Sequence, residues 1–244
     1  MWRQVRTQAL KAVSQGDLPT PVWRTASLRL LEVYGDLAQR NEHLLGSLLA
    51  GQQPKQWVHY PENDAIDPNS GFQWFYHSHA PADRADSDEH GHLHLFAQKK
   101  RWSRRLGSAR ETQFAKLEGG PELGVTTRHL LCIGFDAKGL PSSLFTVNSW
   151  VTGDLMLSAA TTAHLIAQLT LSTGNADVDA VVTSVVGLYR KEIRVLLDAR
   201  DKQLFDFQGK KVLADTSLEV LSALAIHIDE KLAVEPLCHD KSRA

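Results

Sequence analysis

Five of the eleven histidines in the chain fall close together, at His77, His79, His90, His92 and His94. Neutral imidazole is a ligand for zinc, iron(II), copper(II) and nickel, and strand-borne H-x-H pairs are able to reach a single ion. The five histidines are therefore candidate ligands for a divalent transition metal: iron, zinc or copper. Three nitrogen ligands with an open position typify catalytic zinc, whereas two histidines with a carboxylate suit non-haem iron. Asp64, Asp67, Asp88 and Glu89 are the nearby carboxylates. Glu89 and Asp67 are the candidate proton acceptors for catalysis. His59, Asp64, Asn148 and Trp150 are candidates for the surroundings of the ion, as supporting groups or pocket lining. The competing readings of the cluster are a metal-free, pH-responsive sheet face and a purely structural one.

These side chains need a scaffold that points them one way. Residues 72–79 (FQWFYHSH) and 90–97 (HGHLHLFA) alternate with period two, which predicts two strands. Paired as a hairpin with His79 opposite His90, they set His77 opposite His92 and Phe75 opposite His94, so all five imidazoles share a face. Phe72, Trp74, Tyr76, Leu93 and Leu95 then occupy the other face, suited to burial against helices. Strict alternation turns Glu89 away from the histidines unless the loop twists it back.

Residues 17–50 open with a helix start at Thr20-Pro21 and continue with Leu28, Leu31, Tyr34 and Leu37, then Leu44, Leu45, Leu48 and Leu49, at helical spacing. Residues 59–71 (HYPENDAIDPNSG) have the composition of a loop. HLLCIGFD and LPSSLFTVNSWV, joined through Gly139, predict a second hairpin whose last strand carries Asn148 and Trp150. Helical periodicity returns over 155–171, 178–204 and 218–232. The expectation is one α+β domain over residues 1–244. It has a helical part at 1–53, a mostly antiparallel sheet of four or more strands within 54–152, helices over 153–236 and a tail at 237–244.

Composition narrows the partners. Hydrophobic residues at 43% and charged residues at 23% are those of a globular chain. Lys plus Arg is 27 against 28 for Asp plus Glu, so there is no net field for nucleic acid or an anionic membrane. The basic run Lys99–Arg105 reads as a solvated surface. No secretory signal or membrane span is recognisable, and a cytoplasmic location is expected. If the protein is an enzyme, the partner to expect is a small-molecule substrate, with nothing that fixes an oligomeric state. Cys132 reads as a small core residue, Cys238 lies in the tail, and no C-x-x-C occurs. His129 reads as a core histidine on the face of Leu131 and Ile133, and His164 and His227 as helix residues.

HYP at 59–61, Asp64, Asp67, SG at 70–71, YHSH at 76–79, EHGHLHLF at 89–96 and LFTVNSWVTG at 144–153 together resemble a bacterial family known as a domain of unknown function. The resemblance covers most of the chain. It implies a bacterial protein with its unusual residues at the site already drawn, and brings no activity or metal with it. On chemistry alone the expected function is a metal-dependent enzyme, hydrolytic or oxidative. The alternative is a metal-binding protein without catalysis, such as a sensor, storage protein or chaperone. G-x-S-x-G, Walker A, H-E-x-x-H and Rossmann fingerprints are absent from the sequence.

Overall fold

The computed structural model of the protein describes residues 20–49, 51–56, 58–78, 89–117, 126–207 and 211–233. The first helix, α1 (Pro21–Gln39), starts where Thr20 Oγ1 accepts the Trp23 N–H at 3.2 Å. Its buried stripe is Ala26, Leu30, Val33 and Leu37, with Leu28 55% and Leu31 47% exposed. Of the expected stripe Leu37 is buried and Tyr34 partly so, whereas Leu28 and Leu31 face solvent and Leu30, with the smaller Ala26 and Val33, does the packing. Ala26 lies against Gly187, where an added Cβ would come within 2.9 Å of the Ala26 Cβ, so small residues set the close approach of the two helices. Helix α2 (Leu44–Leu48) buries Leu44, Leu45 and Leu48 as its spacing suggests.

Six strands form the sheet: β1 (Tyr60–Asp67), β2 (Phe72–Ser78), β3 (Glu89–Gln98), β4 (Thr127–Asp136), β5 (Pro141–Val147) and β6 (Val220–Ala225). They lie side by side in chain order, each antiparallel to its neighbours. Both outermost strands depart from the sequence expectation. Residues 60–67 look like loop because they carry proline and acidic residues, composition that an edge strand tolerates. Residues 218–232 look helical because leucine and alanine favour helix, but pairing with β5 draws 220–225 into the sheet. The turn between β4 and β5 uses Gly139 at φ +76°, as its position predicts.

The remaining helices are α3 (Lys99–Trp102), α4 (Ala109–Phe114), α5 (Ser149–Thr152), α6 (Ala159–Ile166), α7 (Ala176–Leu188), α8 (Arg190–Asp206) and α9 (Ile228–Ala233). The expected continuous helix over 178–204 is interrupted at Tyr189, whose φ and ψ of −107° and 24° leave the helical range and separate α7 from α8. Strand β5 ends at Val147, and Asn148 Oδ1 accepts the Ser149 N–H at 2.9 Å to begin α5. Asn148 and Trp150 are therefore not strand residues. The basic run is also built into the fold: Arg101 lies over the Phe72 ring at 4.6 Å. The Trp102 ring in turn receives the Arg128 guanidinium at 4.0 Å.

One sheet face carries Phe72, Trp74, Tyr76, Leu93, Leu95, Leu131, Ile133 and Leu144 into a main core with residues of α1, α2, α6, α7 and α8. Each such side chain contributes about 1.5–3 kcal/mol by leaving water. Trp74 Nε1 donates to Asp179 Oδ1 at 3.1 Å, tying this face to α7. The apolar face thus anchors β2 and β3 rigidly, and their alternate residues point the other way. Among the described residues, no helix is long and apolar enough to cross a membrane.

Candidate metal centre

Strands β2 and β3 pair in the expected register, with His77 opposite His92 and Phe75 opposite His94. The side chains of His77, His92 and His94 meet through their Nε2 atoms. His77 and His92 are 2.7 Å apart there, His92 and His94 3.0 Å, and His94 and His77 3.3 Å. All three are buried, at 8%, 3% and 1% exposure respectively. Aromatic rings enclose them, with Phe75 4.9 Å from the His94 ring and Phe145 4.9 Å from that of His92.

Two irregularities in the β3–β4 pairing decide which other side chains join. At the first, Glu89 pairs with Asp136 and Gly91 with Phe135, so His90 is an extra residue on β3. Such a bulge reverses the alternation beyond it. His90 consequently leaves the imidazole face and its Nδ1 meets the Tyr76 hydroxyl at 2.7 Å. Its pKa is lowered by burial and by the neighbouring His43. Glu89 takes the opposite course and reaches the cluster, with Oε1 2.7 Å from His92 Nδ1. Ser143 donates to Glu89 Oε2 at 3.3 Å. Gly134 provides the space: a Cβ there would collide with Ser143 Oγ and lie 2.6 Å from Glu89 Oε2. Gly91 plays the matching part for His90, since a Cβ there would collide with the Tyr76 hydroxyl and come within 2.7 Å of Tyr76 Cζ.

At the second irregularity, Leu95 pairs with Leu131 but Phe96 pairs with His129, leaving Leu130 as the extra residue on β4. His129 is thereby turned from the face of Leu131 and Ile133, where strict alternation puts it, to that of His94. Its Nε2 lies 3.1 Å from His94 Nδ1. Cys132, paired with His94 across the strands, brings Sγ to 3.3 Å from His94 Nδ1 and 3.4 Å from His129 Nε2. Burial, with a lesser contribution from Arg200, pushes the His129 pKa down to about 3, so this imidazole is neutral at pH 7. Neither His129 nor Cys132 stands out in the sequence as part of the site, because period-two reading has no signal for a bulge.

The chemistry of this arrangement follows from where the ring protons sit. With Glu89 ionised, its contact favours a proton on His92 Nδ1 and, in the neutral ring, leaves the lone pair on Nε2. His94 likewise has acceptors beside Nδ1, in His129 Nε2 and Cys132 Sγ. In that tautomer Nε2 of His92 and of His94 face each other at 3.0 Å and both face that of His77 at 2.7 and 3.3 Å, an arrangement that a shared ring proton or a cation among them holds together. Separations of 2.7, 3.0 and 3.3 Å between the three Nε2 atoms are of the size that metal–nitrogen bonds of about 2.0–2.1 Å would span. His77, His92 and His94 would hold such an ion through these three nitrogens. The residues present could hold a metal ion.

The other expected site residues divide. His79 and Asp88 lie outside the described residues. His59 stacks on Phe75 with ring centroids 3.7 Å apart and stands edge-on to His77 at 6.4 Å, with its side chain 47% exposed. Asp64 Oδ1 is 3.7 Å from His59 Nδ1, and burial raises the Asp64 pKa against the opposing pull of His59. These two form a rim between the cluster and solvent. Asp67 ends β1, opposite Phe72 at the start of β2, and its oxygens accept the N–H groups of Asn69 at 2.9 Å, Ser70 at 3.0 Å and Ser172 at 3.0 Å. Burial acts to raise its pKa, but these donors outweigh it and hold the carboxyl below its usual range. Asp67 is a turn-forming group and does not reach the imidazoles. Asn148 Nδ2 donates to Val212 O at 2.8 Å and Trp150 Nε1 to Leu218 O at 3.0 Å, joining α5 to the segment before β6.

The family described as a domain of unknown function (DUF6969) matches residues 24–226, and the chain belongs to that family. No curated protein and no solved structure matches the chain.

Proposed function

We propose that this member of the DUF6969 family is a metal-dependent enzyme whose centre is one divalent transition metal held by Nε2 of His77, His92 and His94. The observation that carries the reading is the buried triangle of three Nε2 atoms with edges of 2.7, 3.0 and 3.3 Å. Glu89 supports it as the group that fixes the tautomer and orientation of His92, in the manner of carboxylate–histidine–metal relays. When bound, the ion supplies Lewis acidity for hydrolysis or, as iron or copper, redox chemistry for oxidation. Three nitrogen ligands leave positions for a small-molecule substrate. Phe75, Phe145 and Phe96 make that side of the sheet low in polarity, which strengthens any charge interaction at the centre. His59, with one edge toward His77 and the other toward solvent beside Asp64, is placed to carry protons between water and the centre.

A second reading, a metal-binding protein without catalysis, is favoured by the burial of all three ligands to 8% or less. Two surface clefts of the fold are also lined by other residues, one by Arg110, Phe114 and Asp201 and the other by Pro21, Ala26 and Gly187.

Elemental analysis of natively purified protein tests the centre itself. The His77→Ala, His92→Ala double variant is expected to carry one equivalent less of iron, zinc or copper than the wild type. Equal metal content in both refutes the assignment. Azide added to the cobalt(II)-loaded protein then separates the two readings. A perturbed visible spectrum reports an exchangeable position and supports the enzyme, whereas an unchanged spectrum supports the closed binding site.

A further inference from the structure

The imidazole of His94 has a donor set on each side. Its Nε2 belongs to the triangle with His77 and His92, while its Nδ1, His129 Nε2 and Cys132 Sγ form a second triangle with edges of 3.1, 3.3 and 3.4 Å. We propose that this second triangle is a metal site for a thiophilic ion, zinc or copper, and that the His94 ring bridges it to the first. The inference rests on the mononuclear centre proposed above and extends it to two metals.

The geometry suits the chemistry. With metal–nitrogen bonds of about 2.05 Å and a metal–sulfur bond of about 2.3 Å, the observed edges correspond to angles of about 98–103° at the ion, close to tetrahedral. A two-histidine, one-cysteine set is softer than the all-imidazole set beside it and matches the donor preference of copper and zinc. The three residues are 1%, 2% and 0% exposed, so an ion here would be sealed from water, unlike one facing the His59 rim.

Placement of the donors is also specific. Cys132 could pack anywhere among Phe145 and Val147, the apolar residues of its small cluster. Instead its sulfur stands nearly equidistant from the two imidazole nitrogens. His129 reaches its position only through the bulge at Leu130, an interruption of the ladder in the middle of a buried sheet. On loading, the ion forms bonds to His94 Nδ1, His129 Nε2 and Cys132 Sγ. The protons of the thiol and of the His94 Nδ1–H leave to solvent, with no change of oxidation state. His94 is then coordinated through both nitrogens.

Cobalt(II) titration of the full-length, chelator-stripped protein tests this, because a thiolate on cobalt gives a near-ultraviolet charge-transfer band that imidazole ligands do not. The wild type should take up two equivalents and show the band. Cys132→Ser and His129→Gln should each take up one equivalent, Cys132→Ser without the band. The His77→Ala, His92→Ala variant should keep one equivalent and the band. Circular dichroism identifies any variant that does not fold, and the remaining variant then decides. A wild type that saturates at one equivalent without the band overturns the second site while leaving the first intact. Two equivalents with no band, or a band that survives in Cys132→Ser, also overturn it. Uptake of no cobalt overturns both sites together.

Discussion

Glu89 is the most informative residue to perturb, because it touches no ion and yet should control how well one is held. Its Oε1 is 2.7 Å from His92 Nδ1, and both side chains are nearly sealed, at 3% and 4% exposure. Glu89→Gln keeps the shape and the contact with Ser143 but removes the charge, so His92 Nδ1–H loses its strongest acceptor and the basicity of Nε2 falls. Loss of such a supporting carboxylate weakens metal binding about 10–100-fold, equivalent to about 1.4–2.7 kcal/mol. Metal-dependent stabilisation falls by the same amount at saturating metal. For a chain of this size that corresponds to a metal-induced rise in Tm smaller by about 3–11 °C. Differential scanning calorimetry with and without excess zinc reads this directly. Competition with a chromophoric chelator gives the affinity independently. Gly134→Ala offers the same test without altering any polar group, since its methyl would displace the Glu89 carboxylate and Ser143. It should reproduce the loss of affinity, with an added overpacking cost of about 1–3 kcal/mol in the metal-free protein. If both variants bind zinc as tightly as the wild type, the Glu89–His92 contact has no part in a metal centre and the reasoning fails.

Other consequences are open to simpler measurements. Leu30→Ala should destabilise the protein by about 2–5 kcal/mol in urea denaturation, whereas Leu28→Ala, on the exposed face of α1, should change it by no more than about 0.5 kcal/mol. Equal effects would return α1 to the face suggested by its leucines. Asp67→Asn should cost about 1.5–3 kcal/mol at pH 7 with metal content unchanged, because the ionised carboxylate accepts three backbone N–H groups. The pH dependence has a definite sign. The folded pKa of Asp67 is depressed, so its stabilisation is complete above the unfolded value of 3.8 and is lost as pH falls through the lower folded value. The gap between wild type and Asp67→Asn should therefore close below pH 3.8, and a gap that is constant with pH would refute it. Tyr76→Phe removes the partner of His90 Nδ1 and should leave metal stoichiometry unchanged, since His90 lies across the sheet from the cluster. Loss of metal in that variant would return His90 to the ligand set.

The parts of the fold legible in the sequence are those where one local rule acts alone. Thr20-Pro21 opens α1, Gly139 turns β4 into β5, and alternation fixes the register of β2 against β3 to the residue. Legibility fails where distant partners decide. Residues 60–67 and 220–225 carry weak or contrary local preference and become strands because β2 and β5 offer them open edges. Asn148 illustrates a smaller failure: it extends an apolar alternating run, but its side chain caps α5 and so ends the strand instead of continuing it.

The site obeys the same division, and its errors share one cause. His77, His92 and His94 are placed by alternation, and the structure brings those three together. Glu89, His90 and His129 each stand on the opposite face from the one alternation assigns; His90 is itself a residue that the ladder skips, and Glu89 and His129 each adjoin one. A bulge is a sequence-silent event: nothing in EHGHLH or TRHLLC marks where one residue will be left unpaired. Yet Gly91 and Gly134 are readable afterwards as its accomplices, since each vacates the space that the redirected His90 or Glu89 interaction fills. The two bulges act in one direction, carrying a carboxylate and a fourth imidazole toward the three histidines and taking His90 away. Ladder irregularity inside a buried sheet is costly to backbone pairing, and at Leu130 it also turns two consecutive leucines, Leu130 and Leu131, into the same core. What the irregularities do accomplish is to give His92 and His94 each a group at Nδ1, Glu89 for one and the His129–Cys132 pair for the other. That shared outcome ties the distortion of β3 and β4 to the convergence of Nε2 atoms.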